Sequence, residues 1–129
     1  MRLIATVLLM TFAGSAWAEW VKYAESKETV EYYDPATIKK RGKFRRVWMV
    51  SDLKRRGTRN ELSRLLLAEY DCEENRWRIP FVSAQSERMA GGETLGTDDS
   101  GNVWNDIAPQ TAPGIVLQIV CRPPGQRSI

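Results

Sequence analysis

Two cysteines in a small chain admit few folds that can bring them together, and here each stands at the end of an apolar segment. Cys72 closes the stretch SRLLLAEYDC, residues 63–72, whose run Leu65, Leu66, Leu67, Ala68 has the length of a strand. Cys121 closes the last hydrophobic segment. Whether they pair depends on the compartment, and the N-terminus speaks to that. Arg2 is followed by an apolar run from Leu3 to Ala13 and by Ala16-Trp17-Ala18, the small residues that signal peptidase requires before its cut. Residues 1–18 are therefore expected to be a cleaved signal peptide, and residues 19–129 a single domain beginning at Glu19. The apolar run falls short of the ~20 residues that cross a bilayer, and no later run is long enough. No cysteine near the cleavage site offers a lipid anchor, so the expected product is periplasmic, secreted or at the cell surface, and not a lipoprotein. In an oxidising compartment two cysteines most simply pair with each other. A Cys72–Cys121 bridge closes a loop of about 50 residues, to which the chain-entropy model assigns ~4 kcal/mol. That is large beside the ~5–15 kcal/mol that holds a small domain together.

The sequence has no histidine. This removes Ser-His-Asp and Cys-His catalysis and any His-ligated metal site, and leaves a lone thiol without an activating base. Paired carboxylates occur at Glu73-Glu74 and Asp98-Asp99, both in expected turns, where they read as solvated groups rather than as working acids. The segment Asp98-Asp99-Ser100-Gly101-Asn102 lacks the register and the distal Glu of a calcium loop. No catalytic residue, metal site or cofactor is expected.

Charge is informative through its distribution. Between Lys39 and Arg64 there are eleven Lys or Arg against only Asp52 and Glu61, whereas the rest of the mature chain has seven basic and fourteen acidic residues. Such asymmetry bears on partners rather than on fold. Lys54, Arg55, Arg56 and Arg59 fall in the loop KRRGTRN, and loops carry binding residues disproportionately. These four form the candidate binding surface for an acidic host protein, a glycan or an envelope lipid head group; the alternative is a solvated, solubilising face. Nucleic acid is disfavoured, because the chain is exported and no aromatic residues interleave the basic loop. Trp20, Trp48, Trp77 and Trp104 are expected mainly in the core.

Taken in order, residues 20–24 and 28–33 form a hairpin, with Val30 and Tyr32 expected inward. Asp34-Pro35 starts a single helical turn, and Arg41-Gly42-Lys43 breaks the chain. The strand of residues 44–53 is apolar on both faces at Val47, Trp48, Met49 and Val50, so it is central and covered on both sides. Residues 63–72 pair with 77–86, in which Trp77, Ile79 and Phe81 alternate with Arg78, Pro80 and Val82, and Pro80 requires an edge position or a bulge. A short strand at 93–95 and a loop at 96–102 follow. The last segment alternates like a strand, yet Ala112, Ile115, Val116, Ile119 and Val120 have helical spacing, and Thr111 before Pro113 suits an N-cap. The helix reading supplies the cover that the two-sided strand needs. The expected fold is α+β: a small antiparallel sheet of about five or six strands packed by a C-terminal α-helix, with one disulfide.

Several of these segments together resemble one family. They are Tyr32-Tyr33-Asp34-Pro35-Ala36-Thr37-Ile38, Val47-Trp48-Met49-Val50-Ser51-Asp52, Ser63, Glu69-Tyr70-Asp71-Cys72 and Arg76-Trp77-Arg78-Ile79, then Trp104, Ile107 and Pro109-Gln110-Thr111, with Cys121 ten residues on. The set is similar to the surface-adhesin protein E family of Gram-negative bacteria. The resemblance implies a small sheet packed by a C-terminal helix, a disulfide between them, and adhesion to host matrix and plasma proteins such as vitronectin, laminin and plasminogen. It transfers no binding residue. Two functions are therefore expected in competition: an exported, non-catalytic adhesin-like binding protein, or a soluble periplasmic protein with a housekeeping or stress role.

Overall fold

The apolar patterns resolve into antiparallel strands that run almost without interruption from Val21 to Asp106. The computed structural model describes residues 18–123 and 125; the expected signal peptide lies outside them except for Ala18. The strands are β1 (Val21–Glu25), β2 (Thr29–Tyr33), β3 (Lys39–Arg41), β4 (Phe44–Leu53), β5 (Ser63–Asp71), β6 (Arg76–Gln85), β7 (Thr94–Asp98) and β8 (Asn105–Asp106), followed by helix α1 (Ala112–Val120). One curled sheet holds them in the order β1-β2-β4-β5-β6-β7, with β3 also on β4 and β8 on β6. The expected α+β architecture holds, with the two short strands added to it.

Local chemistry sets the joints. The Asp34 carboxylate accepts from the Ala36 N–H at 3.0 Å and opens a single 3₁₀ turn, Pro35–Thr37. Thr37 Oγ1 donates to the Asp34 carbonyl and accepts from the Trp48 N–H at 3.0 Å, fixing that turn to β4. The chain then runs on into β3 and reverses at Gly42, whose φ of +59° is open to glycine without strain. The break expected at Arg41-Gly42-Lys43 is thus the tight turn of a β3–β4 hairpin.

The main core cluster lies on one face of the sheet, with Val50 buried on the other. Tyr33, Val47, Met49, Ala68 and Tyr70 pack against Val116, Leu117, Ile119 and Val120 of α1. Full burial of a side chain such as Val116 or Val120 contributes roughly 1.5–3 kcal/mol. The helix begins where expected: Thr111 Oγ1 accepts from the Gly114 N–H, and Pro113 sits in the first turn. Its buried stripe is rotated from the expected one, since Leu117 is buried and Ile115 stays 37% exposed. Cys72, just after β5, joins Cys121 at the helix end with a Cα–Cα distance of 5.7 Å. The end of β5 and the helix that covers this cluster are therefore tied covalently.

Three side-chain placements differ from the simple alternation. Tyr33, opposite Met49, faces the helix, so Val30 and Tyr32 face away from it; the face that Tyr33 shares with Thr29 and Glu31 is the more polar by sequence, and pairing with β4 overrides that pattern. In β6 a bulge lies between the pairs Leu67–Phe81 and Glu69–Arg78, which puts Phe81 and Arg78 on the same face despite their odd spacing. Pro80 falls within this bulge, as its missing N–H demands. Residues 96–98 continue β7 instead of joining the loop after it.

Tyr70 is fully buried and stacks on Trp77, and its hydroxyl has no hydrogen-bond partner among the described residues. Tyr70→Phe is therefore expected to raise the unfolding free energy by about 1–2 kcal/mol, read from urea denaturation. The double variant Cys72→Ser, Cys121→Ser is expected to lose about 3–4 kcal/mol in the same assay, and dithiothreitol should shift the parent toward it while leaving the variant unmoved.

Candidate binding surface

The connection from β4 to β5 is folded around a buried carboxylate. Glu61 is 2% exposed; its Oε1 accepts from the Arg59 N–H at 3.4 Å and lies 4.0 Å from the Arg64 guanidinium. Gly57 passes so close to this carboxylate that a Cβ there would collide with it. All four loop cations reach solvent, but they differ in what holds them. Lys54 Nζ lies 3.2 Å from Glu25. Arg56 donates to the carbonyls of Asn60 at 2.9 Å and Ser86 at 3.1 Å, tying the loop to the turn after β6. Arg59 lies against Gly96 of β7. Its charge adds to the hydrogen bonds from Ser100 that hold the Asp98 carboxyl below its usual range. Neither the Arg55 nor the Arg59 guanidinium makes an ion pair or a hydrogen bond among the described residues. The adjoining groove, of about 470 Å³, is mixed in charge, with Arg59, Arg64, Glu61 and Asp98 all on its walls.

The β3–β4 hairpin carries a cation set that the loop motif does not reveal. Lys39 stands directly opposite Arg46, and Lys40 directly opposite Arg45. Like charges paired across strands are destabilising, so the hairpin forms in spite of its electrostatics. Lys39, Lys40 and Arg41 are exposed and have no ion pair among the described residues. Arg46 is compensated from the next strand: its Nε donates to Glu69 Oε2 at 2.6 Å, while Arg78 donates Nη2 and Nε to Glu69 Oε1 at 2.6 and 3.0 Å. Lys39, Arg46, Glu69 and Arg78 are thus successive partners across β3, β4, β5 and β6 and share the face away from the helix.

A second carboxylate repeats the device. Asp71 accepts from Arg76 Nε at 3.1 Å and from the N–H groups of Glu73 and Glu74 at 3.1 and 3.2 Å, with Lys43 at 3.9 Å. The Arg76 and Arg78 guanidiniums lie over the Trp104 ring at 4.8 and 4.5 Å, so this tryptophan caps the charged row instead of joining the helix-side core. On the next level of the same face, Trp48, Leu67 and Phe81 are successive partners, and Trp48 meets Phe81 edge-on with centroids 6.0 Å apart. An open groove of about 490 Å³ runs along the hairpin, walled by Lys39, Lys40, Arg41 and Arg46 and floored by Trp48 and Leu67. Only the period-two reading of KKRGKFRR across Gly42 could have pointed to it, since that reading places cation opposite cation.

Chemically, this face offers fixed positive charge beside aromatic surface. Among the described residues no group of three or more Cys, Asp or Glu could hold a metal ion. Burial by itself pushes the Glu69 carboxyl up, but the Arg46 and Arg78 guanidiniums outweigh it and hold the group below the usual carboxylate range. Asp71 is lowered in the same way: burial opposes, and the turn N–H groups, Arg76 and Lys43 prevail.

A carboxyl lowered in the folded chain adds stability that is complete above the unfolded value of ~4 and disappears as pH falls through the folded value. The guanidiniums are 24–29% exposed, so water softens their loss of a partner. Glu69→Gln is expected to cost about 2 kcal/mol at neutral pH, with the gap to the parent closing on acidification below pH ~4, measured by denaturation at each pH.

A model of the family described as surface-adhesin protein E matches residues 20–122, nearly all of the described chain. No curated protein and no solved structure matches it. The matched span runs from the residue before β1 to the residue after Cys121, and so takes in the sheet, the helix and the disulfide between them. The chain belongs to the surface-adhesin protein E family.

Proposed function

We propose that this chain is an exported, non-catalytic binding protein that engages acidic partners at the cell envelope or surface, its first 18 residues being removed as a signal peptide. Family membership supports an adhesin-like role. The observation that carries the reading is the concentration of cations in β3, β4 and the loop after it, several of them without any carboxylate partner among the described residues. Structural ion pairing alone would have placed an acid opposite each. Lys54, Arg55, Arg56 and Arg59 extend this surface along the β4–β5 loop, with Arg55 and Arg59 the better placed for a partner because Arg56 braces two turns. No helix among the described residues is long and apolar enough to cross a membrane.

Whole-cell protease accessibility and pull-down with acidic matrix proteins test the proposal together. Surface cleavage and capture that weakens as salt rises are expected, with capture reduced further in the Arg55→Glu, Arg59→Glu variant or in its hairpin counterpart. Release by osmotic shock, with no capture at any salt, would favour the periplasmic housekeeping role instead.

A further inference from the structure

We infer that the β3–β4 hairpin groove binds a linear anionic polysaccharide, a chain of sugar rings bearing carboxylate or sulfate groups. The inference rests on the acidic-partner reading but moves the contact from the loop of residues 54–59 to the hairpin and the sheet face beside it.

Four observations lead there. On the groove side of the hairpin Lys39 stands opposite Arg46, while the second like-charge pair, Lys40–Arg45, falls on the other face, and no ion pair among the described residues neutralises Lys39, Lys40 or Arg41. A polyanion lying in the groove supplies Lys39 and Arg41 with the negative partner that Glu69 supplies to Arg46. Arg46 and Arg78 are not free to sway, because Glu69 grips the Nε of each from below. The remaining N–H groups of Arg46 are left for an outside acceptor, in the fixed geometry that favours charge-assisted bonds to carboxylate or sulfate. The groove floor is Trp48 and Leu67, a flat apolar surface on which the C–H face of a sugar ring can rest. Trp48 is held there by the Thr37 hydroxyl on its backbone N–H and by the edge of Phe81.

Other polyanions fit less well. An acidic peptide adding to the outer edge of β3 would find a strand of only three residues, and strand addition draws its affinity from main-chain hydrogen bonds. An anionic membrane calls for apolar side chains that insert. Among the described residues the exposed large ones, Met89, Leu95, Val103 and Ile115, all lie outside the groove.

The test titrates the mature protein with polygalacturonate and with a heparin oligosaccharide, following tryptophan fluorescence and heat, with polyglutamate and phosphatidylglycerol vesicles as comparators. Salt-sensitive binding of at least one polysaccharide is expected, at least about tenfold tighter than polyglutamate by residue concentration. The exposed double variant Lys39→Glu, Arg41→Glu is expected to lose about tenfold in affinity, and Arg55→Glu, Arg59→Glu less than about twofold. Trp48→Phe should keep most of the binding and Trp48→Leu lose most of it; circular dichroism separates lost binding from lost folding, and the hairpin variant decides the matter if Trp48→Leu does not fold. Tighter binding of polyglutamate or of vesicles overturns the polysaccharide assignment. Loss confined to the loop variant overturns the hairpin while sparing the acidic-partner reading. Absence of binding to every anionic probe overturns both.

Discussion

Glu69 lies at the middle of the sheet with 1% of its surface exposed, and its two oxygens are taken by arginines from the strands on either side. A buried carboxylate is costly to desolvate, and a well-packed apolar residue would often serve stability as well. What an apolar residue could not do is hold two guanidiniums upright on the face that the helix leaves open. The same contact therefore belongs to the packing of β4, β5 and β6 and to the charge presented outside. Asp71, one row away, extends the pattern to Arg76 and, through it, to Trp104.

This division of labour follows from a sheet with one helix. The helix covers one face and is fastened to it by the disulfide from Cys72 to Cys121. The other face is not packed by the helix; β4 and β5 put Trp48, Val50, Leu65 and Leu67 on it, and of these Val50 is fully buried. At one end of that face the turn after β6 folds back: the Met89 N–H reaches Asp52, the Ala90 N–H reaches Ser63, and Arg88 reaches the Leu53 carbonyl. Met89 and Ala90 take positive φ angles to do so, a local strain of the kind held in place by surrounding contacts. The opposite end is left to the charged row and the hairpin.

Much of the scaffold was legible because its signals are local. Thr111 before Pro113 with helical spacing behind them marks α1, Asp34-Pro35 marks the 3₁₀ turn, and two cysteines at the ends of apolar segments mark the disulfide. β3 was not, because Lys39, Lys40 and Arg41 contain nothing apolar; the strand exists as the return arm of β4 about Gly42. The side of the sheet taken by Phe81 was hidden by the bulge around Pro80, and that of Tyr33 by the polar Thr29 and Glu31 that share its face of β2. For the site, a count along the chain locates the cations but not their partners. Arg46 and Arg56 look alike in sequence, yet one is gripped by a carboxylate 23 positions away and the other by two carbonyls. Which cations are left without a partner is a tertiary property.

The most direct measurement is a map of backbone amide shifts in labelled mature protein as an anionic polysaccharide is titrated in. Shifts concentrated at residues 39–48 and 76–78, with residues 54–59 nearly still, are the result this account predicts. Shifts concentrated at 54–59, or spread evenly over every exposed cation, would contradict it.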